Sequence, residues 1–372
     1  MKTNVLEIIS TMGEGGAESL VKDYGLLIDR EQFNLQVLTV YDVKESTTKS
    51  QLTGAGIRVQ SILPGCNLPW KLIKWFLGFI YVPLVIKKVI KDNGIDVVHV
   101  HMNQLHHLVP LMSFLKPIKV IYTVHNEPDI YFRRNIFDFE YRAVNKFKHK
   151  ENFYLISLHE KMAGRLSDMF GFDRIITIRN GVDLLKFSNV KQTKQEIRDL
   201  NGIPSDAYVV GHVGRFTEQK NHTFIVDLFL EVLKHKPDAY LLLVGSGPLR
   251  EVIIDKLNSS GIEGKFQVLS YRQDIPELLK AMDVFILPSL YEGLPVSLVE
   301  AQMAKLPCVV SDNINPEAVI LPSTRLLSLQ NDSIAVWAEN VVHVPATVEW
   351  NERIQEFDMR REIKSLEALY QE

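Results

Sequence analysis

Short apolar runs rich in β-branched residues alternate along the chain with longer stretches of helical period, and this constrains the fold more than any other feature. It is the pattern of βαβ units on a parallel sheet. Strands are expected at 5–9, 35–40, 97–100, 120–124 and 154–157, with the first helix at 18–28. A second series begins near Tyr208, with strands at 208–213, 239–244, 266–269, 284–287 and 308–311. Its helices are expected at 221–234, 249–258, 275–281 and 296–304. Uninterrupted runs such as Leu241-Leu242-Leu243-Val244 fit strands covered by helices on both faces.

The polar segment 188–206, with Gly202 and Pro204, separates the two series. Two domains follow, 1–187 and 188–349. The charged tail 350–372 is helical in period, has no strand after it, and should pack back on the outside of the first domain. A length of 372 residues agrees, at about two and a half times a core unit of roughly 150. In open α/β sheets ligands bind beyond the carboxyl ends of the strands. A cleft between two such domains is therefore the expected place of function.

Composition narrows the partners. Lys and Arg number 42 against 45 Asp and Glu, a net charge of −3, so no overall field draws the chain to nucleic acid. Two cysteines, Cys66 and Cys308, are too few for a disulfide framework or a four-thiolate zinc site, and they fit a reducing cytoplasm. The opening residues read as a first strand and not as a secretory leader. The longest apolar stretch, 75–86, is interrupted by Gly78 and Pro83 and is too short to cross a hydrocarbon layer of about 30 Å.

Three glycine-bearing loops follow strands: 13–18, 211–215 and 245–248. None completes G-x-G-x-x-G, and no G-x-x-x-x-G-K-[ST] occurs, which argues against a nicotinamide dehydrogenase and a P-loop kinase. The 245–248 loop reads equally as a tight turn. Gly15-Gly16, at a helix start, lets a ligand approach unshielded backbone N–H groups. Arg215 and Lys220 share one loop before a helix, a suitable clamp for a diphosphate or simply a solvated pair of charges.

The densest pattern is Leu287-Pro288-Ser289-Leu290-Tyr291-Glu292-Gly293-Leu294-Pro295-Val296-Ser297-Leu298-Val299-Glu300. Glu292 lies in a loop after a strand, Gly293 allows close approach, and Pro295 suits a helix first turn. Glu300 falls in an apolar helix and needs a hydrogen-bond partner there. Two such carboxylates suit a polyhydroxyl ligand, since each oxygen accepts from sugar hydroxyls. A glycosidase acid–base pair and two surface glutamates are the competing readings.

These residues resemble family 4 of the retaining glycosyltransferases, whose E-x7-E motif matches Glu292–Glu300. The resemblance spans most of the chain. It runs through Gly15-Gly16-Ala17-Glu18, Asp96-Val97-Val98-His99-Val100-His101 and Asn180-Gly181-Val182-Asp183. It continues through Gly214-Arg215 with Lys220-Asn221, through Gly245-Ser246-Gly247-Pro248, and through Ala281-Met282-Asp283-Val284. Arg179 stands where family members often carry proline, a departure at a hinge turn.

The resemblance implies a GT-B fold, two Rossmann-like doubly wound domains facing across a cleft. It implies a donor diphosphate held by Arg215 and Lys220, donor-sugar hydroxyls on Glu292, and a nucleotide ribose on Glu300. Gly16, Gly293, Leu294, Pro295 and Val296 would face sugar and phosphate, Tyr271 and Ile275 would lie near the base, and His125 near the transferred sugar. Gly15, His101 and Asn103 fall on the acceptor side. The implied catalytic set is Glu292, His125, Arg215 and Lys220.

A sugar nucleotide already carries a good leaving group, so catalysis needs stabilisation of the departing diphosphate more than a strong acid. No cofactor and no metal is expected. The donor would be a nucleoside-diphosphate sugar, a UDP-sugar foremost, and the acceptor a glycan or lipid-linked glycan of surface polysaccharide synthesis. A sugar-nucleotide 2-epimerase and a non-catalytic sugar-nucleotide-binding protein are the alternatives. His99 and His101 are two apart on a strand and should share a face. His99, His101, His106, His107 and His125 invite a zinc reading, but satisfied core histidines are the commoner outcome.

The segment 70–91 joins Lys71, Lys74, Lys87, Lys88 and Lys91 to Trp70, Trp75, Phe76, Phe79 and Tyr81. It reads as a crossover helix broken near Pro83, or as a peripheral contact with an anionic membrane. The expected location is the cytoplasm, at the inner face of the plasma membrane. Arg133 and Arg134 would suit a lipid diphosphate.

Overall fold

The computed structural model of the chain describes residues 2–13, 15–44, 46–64, 77–134, 138–345 and 348–372. Contacts divide it into two units, Met1–Asn180 with Arg360–Glu372, and Gly181–Met359. Residues 181–187 and 350–359, which the sequence reading gave to the first domain and the tail, thus associate with the second unit. Backbone pairing ties them together there: Val182 N–H donates to Phe357 O and Met359 N–H to Val182 O.

Among the described residues the first unit carries seven strands: β1 (Thr3–Ile9), β2 (Phe33–Tyr41), β3 (Arg58–Leu63), β4 (Val97–His101), β5 (Lys119–Thr123), β6 (Phe153–Ser157) and β7 (Ile175–Thr177). Their order is β3-β2-β1-β4-β5-β6-β7. The second carries six: β8 (Tyr208–Val213), β9 (Ala239–Val244), β10 (Phe266–Leu269), β11 (Val284–Leu287), β12 (Cys308–Ser311) and β13 (Arg325–Leu327). Their order is β10-β9-β8-β11-β12-β13. Every strand pairing is parallel.

Strands β4 and β9 are buried throughout, and β1 and β8 are buried except at their ends. Strand order reverses between β1 and β4 and again between β8 and β11, the positions where such sheets gather ligands. The strands expected from the apolar runs form. The edge strands β3, β7 and β13 were not expected, because a half-exposed edge strand needs little apolar pattern.

The polar stretch 188–206 is not an open linker. It contains the helix Lys194–Asn201, started by a capping box in which Glu196 N–H donates to Thr193 Oγ1 and Thr193 N–H donates to Glu196 Oε2. Arg198 from this helix is buried and bonds Asp283 at 2.7 Å.

The helix Met359–Gln371 closes the chain against the first sheet. Glu362 accepts from Arg179 N–H, Glu367 from Asp29 N–H, and the Tyr370 hydroxyl donates to Glu7 on β1.

Cys66, Trp70, Lys71, Lys74, Trp75 and Phe76 lie outside the described residues, as does Glu14. Pro83 sits in the first turn of the helix Val82–Asp92, where its missing N–H costs no intrahelical bond. That helix buries Val82, Ile86 and Ile90 while Ile80, Tyr81, Leu84, Lys87, Lys88 and Lys91 are exposed. No helix among the described residues is long and apolar enough to cross a membrane.

Candidate active site

In the second unit the residues after β8 and β9 are laced together. Gly214 N–H bonds Val244 O, Phe216 N–H bonds Ser246 O, and Leu249 N–H bonds Phe216 O, so the loops 214–216 and 245–249 run side by side. Gly247 has φ +153°, and a Cβ there would lie 2.5 Å from Phe216 O. Both glycines of Gly245-Ser246-Gly247 therefore serve the close backbone packing of these loops, which favours the tight-turn reading. A short 3-10 turn, Glu218–Lys220, and the left-handed Asn221 then start the helix His222–His235.

The β11 loop is clipped to this turn through Leu290 N–H and Gln219 O at 2.8 Å. Glu292 is buried to 8% exposure, and its carboxylate is held from three sides. Oε1 accepts from Lys220 Nζ at 2.5 Å and from Ser289 Oγ at 2.8 Å, while Oε2 accepts from Gln219 Nε2 at 3.2 Å. Each carboxylate oxygen offers two lone-pair directions. Oε1 is thus filled and Oε2 keeps one direction for a ligand donor. The Lys220 ammonium has two further N–H groups suited to an anion.

Arg215 shares this loop and is exposed. Gly293 is half-buried, Leu294 and Pro295 are buried, and Val296 opens the helix Val296–Met303. Pro295 is the residue before the helix and not its first turn. Glu300 is half-buried on the same helix, and Tyr271 and Ile275 flank the start of the helix Ile275–Ala281. The structure thus brings Lys220 and Glu292 into direct contact, with Arg215 on the same loop as Lys220.

In the first unit the polar residues gather beside the β1/β4 reversal. Register places Glu7 opposite His99 and His101 opposite Thr123. His101 Nε2 lies 2.6 Å from Glu7 Oε2, and His101 Nδ1 lies 3.0 Å from His125 Nε2. His99 is tied between the Tyr370 hydroxyl and Thr123 Oγ1, each at 2.7 Å. Glu7, His99 and His101 are the only three such side chains, among the described residues, whose ligating atoms lie within 4.8 Å of one another. Those atoms are all engaged in this hydrogen-bonded network.

Burial would raise the Glu7 carboxyl, but His99 and His101 outweigh it and hold the group below the usual carboxylate range. Burial, with His99 beside it, pushes His101 down to about 4. Burial and His101 likewise hold His125 well below the usual imidazole range.

His101 is fully buried with both ring nitrogens engaged, so it stands one layer behind His125 and does not itself face a ligand. His125 is half-buried just past β5. Asn103 is exposed after the left-handed Met102, at φ 59°. Gly16 is exposed at the start of the helix Gly16–Leu27, with open space where a Cβ would stand. At Gly15 a Cβ would meet the Glu18 carboxylate.

Sequence reasoning missed Glu7, Gln219, Ser289 and Tyr370. Glu7 carried a signal, a lone charge inside an apolar strand. Tyr370 carried none, because its partners lie hundreds of residues away.

Two parallel α/β units, each with polar residues collected where strand order reverses, have the architecture of a GT-B glycosyltransferase. Residues 193–342 match the family profile for glycosyl transferases group 1, and residues 15–185 that for glycosyltransferase family 4. The chain belongs to this glycosyltransferase family and is an enzyme of that class. It is similar to EpsF of Bacillus subtilis (strain 168), provisionally named a glycosyltransferase, at 30% identity over 354 residues, covering 92% of this chain and 88% of EpsF. It is also similar to the Escherichia coli UDP-Gal:alpha-D-GlcNAc-diphosphoundecaprenol alpha-1,3-galactosyltransferase, at 27% identity over 298 residues, covering 76% of this chain and 77% of that protein. Among solved structures, Anabaena HepE in complex with UDP and glucose has the same fold, with a TM-score of 0.71, 18% identity, and coverage of 99% and 95%.

Proposed function

We propose that the protein is a retaining glycosyltransferase that moves a hexose or N-acetylhexosamine from a UDP-sugar to a glycan or lipid-linked glycan in surface polysaccharide synthesis. The observation that carries this reading is the buried Glu292, held by Lys220, Ser289 and Gln219 with one acceptor direction left over. Lys220 and Arg215 hold the donor diphosphate and stabilise it as it leaves. Glu292 accepts a hydroxyl of the donor sugar, and Glu300 accepts from the ribose. Gly16, Gly293, Leu294, Pro295 and Val296 line the sugar and phosphates, and Tyr271 and Ile275 lie near the base. His125 lies against the transferred sugar, with Gly15 and Asn103 toward the acceptor.

The similar E. coli enzyme is named for a UDP-sugar donor and a diphosphoundecaprenol-linked acceptor, which supports this choice of substrate classes. The exposed Ile80, Tyr81 and Leu84 beside Lys87, Lys88 and Lys91 suit docking of the protein on the inner face of an anionic membrane.

The test is a thermal-shift panel of UDP-, GDP- and ADP-sugars, followed by transfer to N-acetylglucosaminyl-diphosphoundecaprenol. Only a ligand preferring the native state raises the midpoint, by the equivalent of about 2.7 kcal/mol at roughly 100 times Kd. A UDP-sugar that stabilises the protein and transfers with retained anomeric configuration is the expected result. Equal, acceptor-independent release of free sugar, or no turnover with any donor, would overturn the reading.

A further inference from the structure

Tyr370, Glu7, His101 and His125 form one directed chain of hydrogen bonds. The Tyr370 hydroxyl donates to Glu7 Oε1 at 2.7 Å. An ionised carboxylate only accepts, so His101, 2.6 Å away through Nε2, must carry its proton on that nitrogen. A neutral His101 then has a lone pair on Nδ1, and the atom 3.0 Å from it, His125 Nε2, must be the donor. His101 is neutral near pH 7, since burial pushes it down to about 4. The His125 proton is thereby assigned to Nε2, and its Nδ1 is left as a lone pair.

His125 is the member of the histidine cluster that reaches the surface of its unit, while Glu7, His99 and His101 have no exposure. His99 borders the relay at its Glu7 end, with its Nδ1 3.3 Å from Glu7 Oε2. It is tied to Tyr370 and Thr123, and its ring packs 4.2 Å from that of His101.

We infer that Glu7 and His101 are positioning residues that lock His125 in the Nε2–H tautomer, so that His125 Nδ1 accepts a hydrogen bond from a hydroxyl of the transferred sugar. The inference rests on the proposed place of His125 beside that sugar. An unconstrained histidine exchanges between tautomers and can meet either a donor or an acceptor. With Nδ1 fixed as an acceptor, the position selects a hydroxyl or N–H and rejects an ether oxygen or a fluorine, which cannot donate.

The test uses the full chain labelled with 15N in histidine, with long-range 1H–15N spectra reporting each ring's tautomer. The His125 signals are identified by their loss in His125→Phe. Wild type should show the Nε2–H form. His101→Gln, whose carboxamide can donate to Glu7 and accept from His125, should keep that form. Its turnover should stay within about threefold, measured with the best of UDP-glucose, UDP-galactose and UDP-N-acetylglucosamine. His101→Phe offers neither bond. It should mix the tautomers and lower turnover by about tenfold or more, while Kd for UDP alone changes less than about twofold.

A wild-type His125 protonated on Nδ1 overturns the inference whether or not the variants fold. An unchanged single tautomer in folded His101→Phe overturns it equally. Undiminished turnover in His125→Phe, with the wild-type tautomer as expected, instead removes His125 from the sugar and leaves the relay standing.

Discussion

Lys220 Nζ and Glu292 Oε1, 72 residues apart in the chain, stand 2.5 Å apart in a pair that is 14% and 8% exposed. The cation assigned to the diphosphate and the carboxylate assigned to the sugar are therefore one electrostatic unit. Glu292→Gln should lower turnover about 100-fold or more while UDP affinity stays within about threefold, because the amide keeps the shape but not the charge. Lys220→Met leaves a buried carboxylate without its cation, so it should weaken UDP binding and cost about 3 kcal/mol of stability. Kinetics, calorimetry and urea unfolding of both variants check this. Equal loss of UDP affinity in the two variants would contradict the division of roles.

Tyr370→Phe removes the hydroxyl that Glu7 and His99 share. Each is then short of one buried partner, at an expected cost of about 1–3 kcal/mol. The loss should show as a lowered urea midpoint with unchanged slope. A midpoint equal to wild type would mean the hydroxyl is not holding the helix Met359–Gln371 to β1.

Stability should fall with acid. Burial is the main cause that holds His101 down to about 4 and His107 and His222 down to about 3. Such groups bind protons more tightly unfolded. Their contribution is whole above about pH 6.5 and is lost as the pH drops toward the folded values. Glu7, also held low, adds a loss below the ordinary carboxylate range near 4.5. Thermal midpoints in buffers from pH 7 to 4 should decrease throughout, and a flat profile would refute buried neutral histidines.

Gly247→Ala should destabilise the second unit by about 1–3 kcal/mol, because its methyl would press on Phe216 O at an unfavourable φ. Gly16→Ala meets no atom within 4 Å and should leave the midpoint within about 0.5 kcal/mol of wild type. Chemical unfolding of both variants separates a glycine required by packing from one that leaves open space.

Ile80→Asp with Leu84→Asp should abolish co-sedimentation with phosphatidylglycerol vesicles and leave UDP binding intact, as the changed side chains are exposed. Wild-type protein that fails to pellet with such vesicles at low salt would remove the membrane from the proposal.

Much of this was legible beforehand, and the reason differs by residue. The strands β9 and β11 are continuous apolar runs and β8, β10 and β12 are mostly apolar, and the ends of all five agree with the sequence reading to the residue. The pairing of His99 with His101 on one face follows from strand period alone, and the structure sets their ring centroids 4.2 Å apart at a tilt of 39°. Glu292 and Lys220 drew attention by charge and position, yet their bond could not be read from two loops 72 residues apart. The edge strand Arg325–Leu327 is not legible, because three residues are too short a run to separate a strand from a loop by periodicity. The family resemblance puts His101 on the acceptor side. Burial by Glu7 and Tyr24 places it behind His125 instead.

The helix that completes the first unit is encoded after the whole of the second. On the ribosome, residues 1–180 emerge while Tyr370 has yet to be made, so the nascent β1 holds Glu7 without its phenol partner until that residue follows. The segment Gly181–Met359 is contiguous and can settle first, so the earlier-synthesised lobe is the later one to mature.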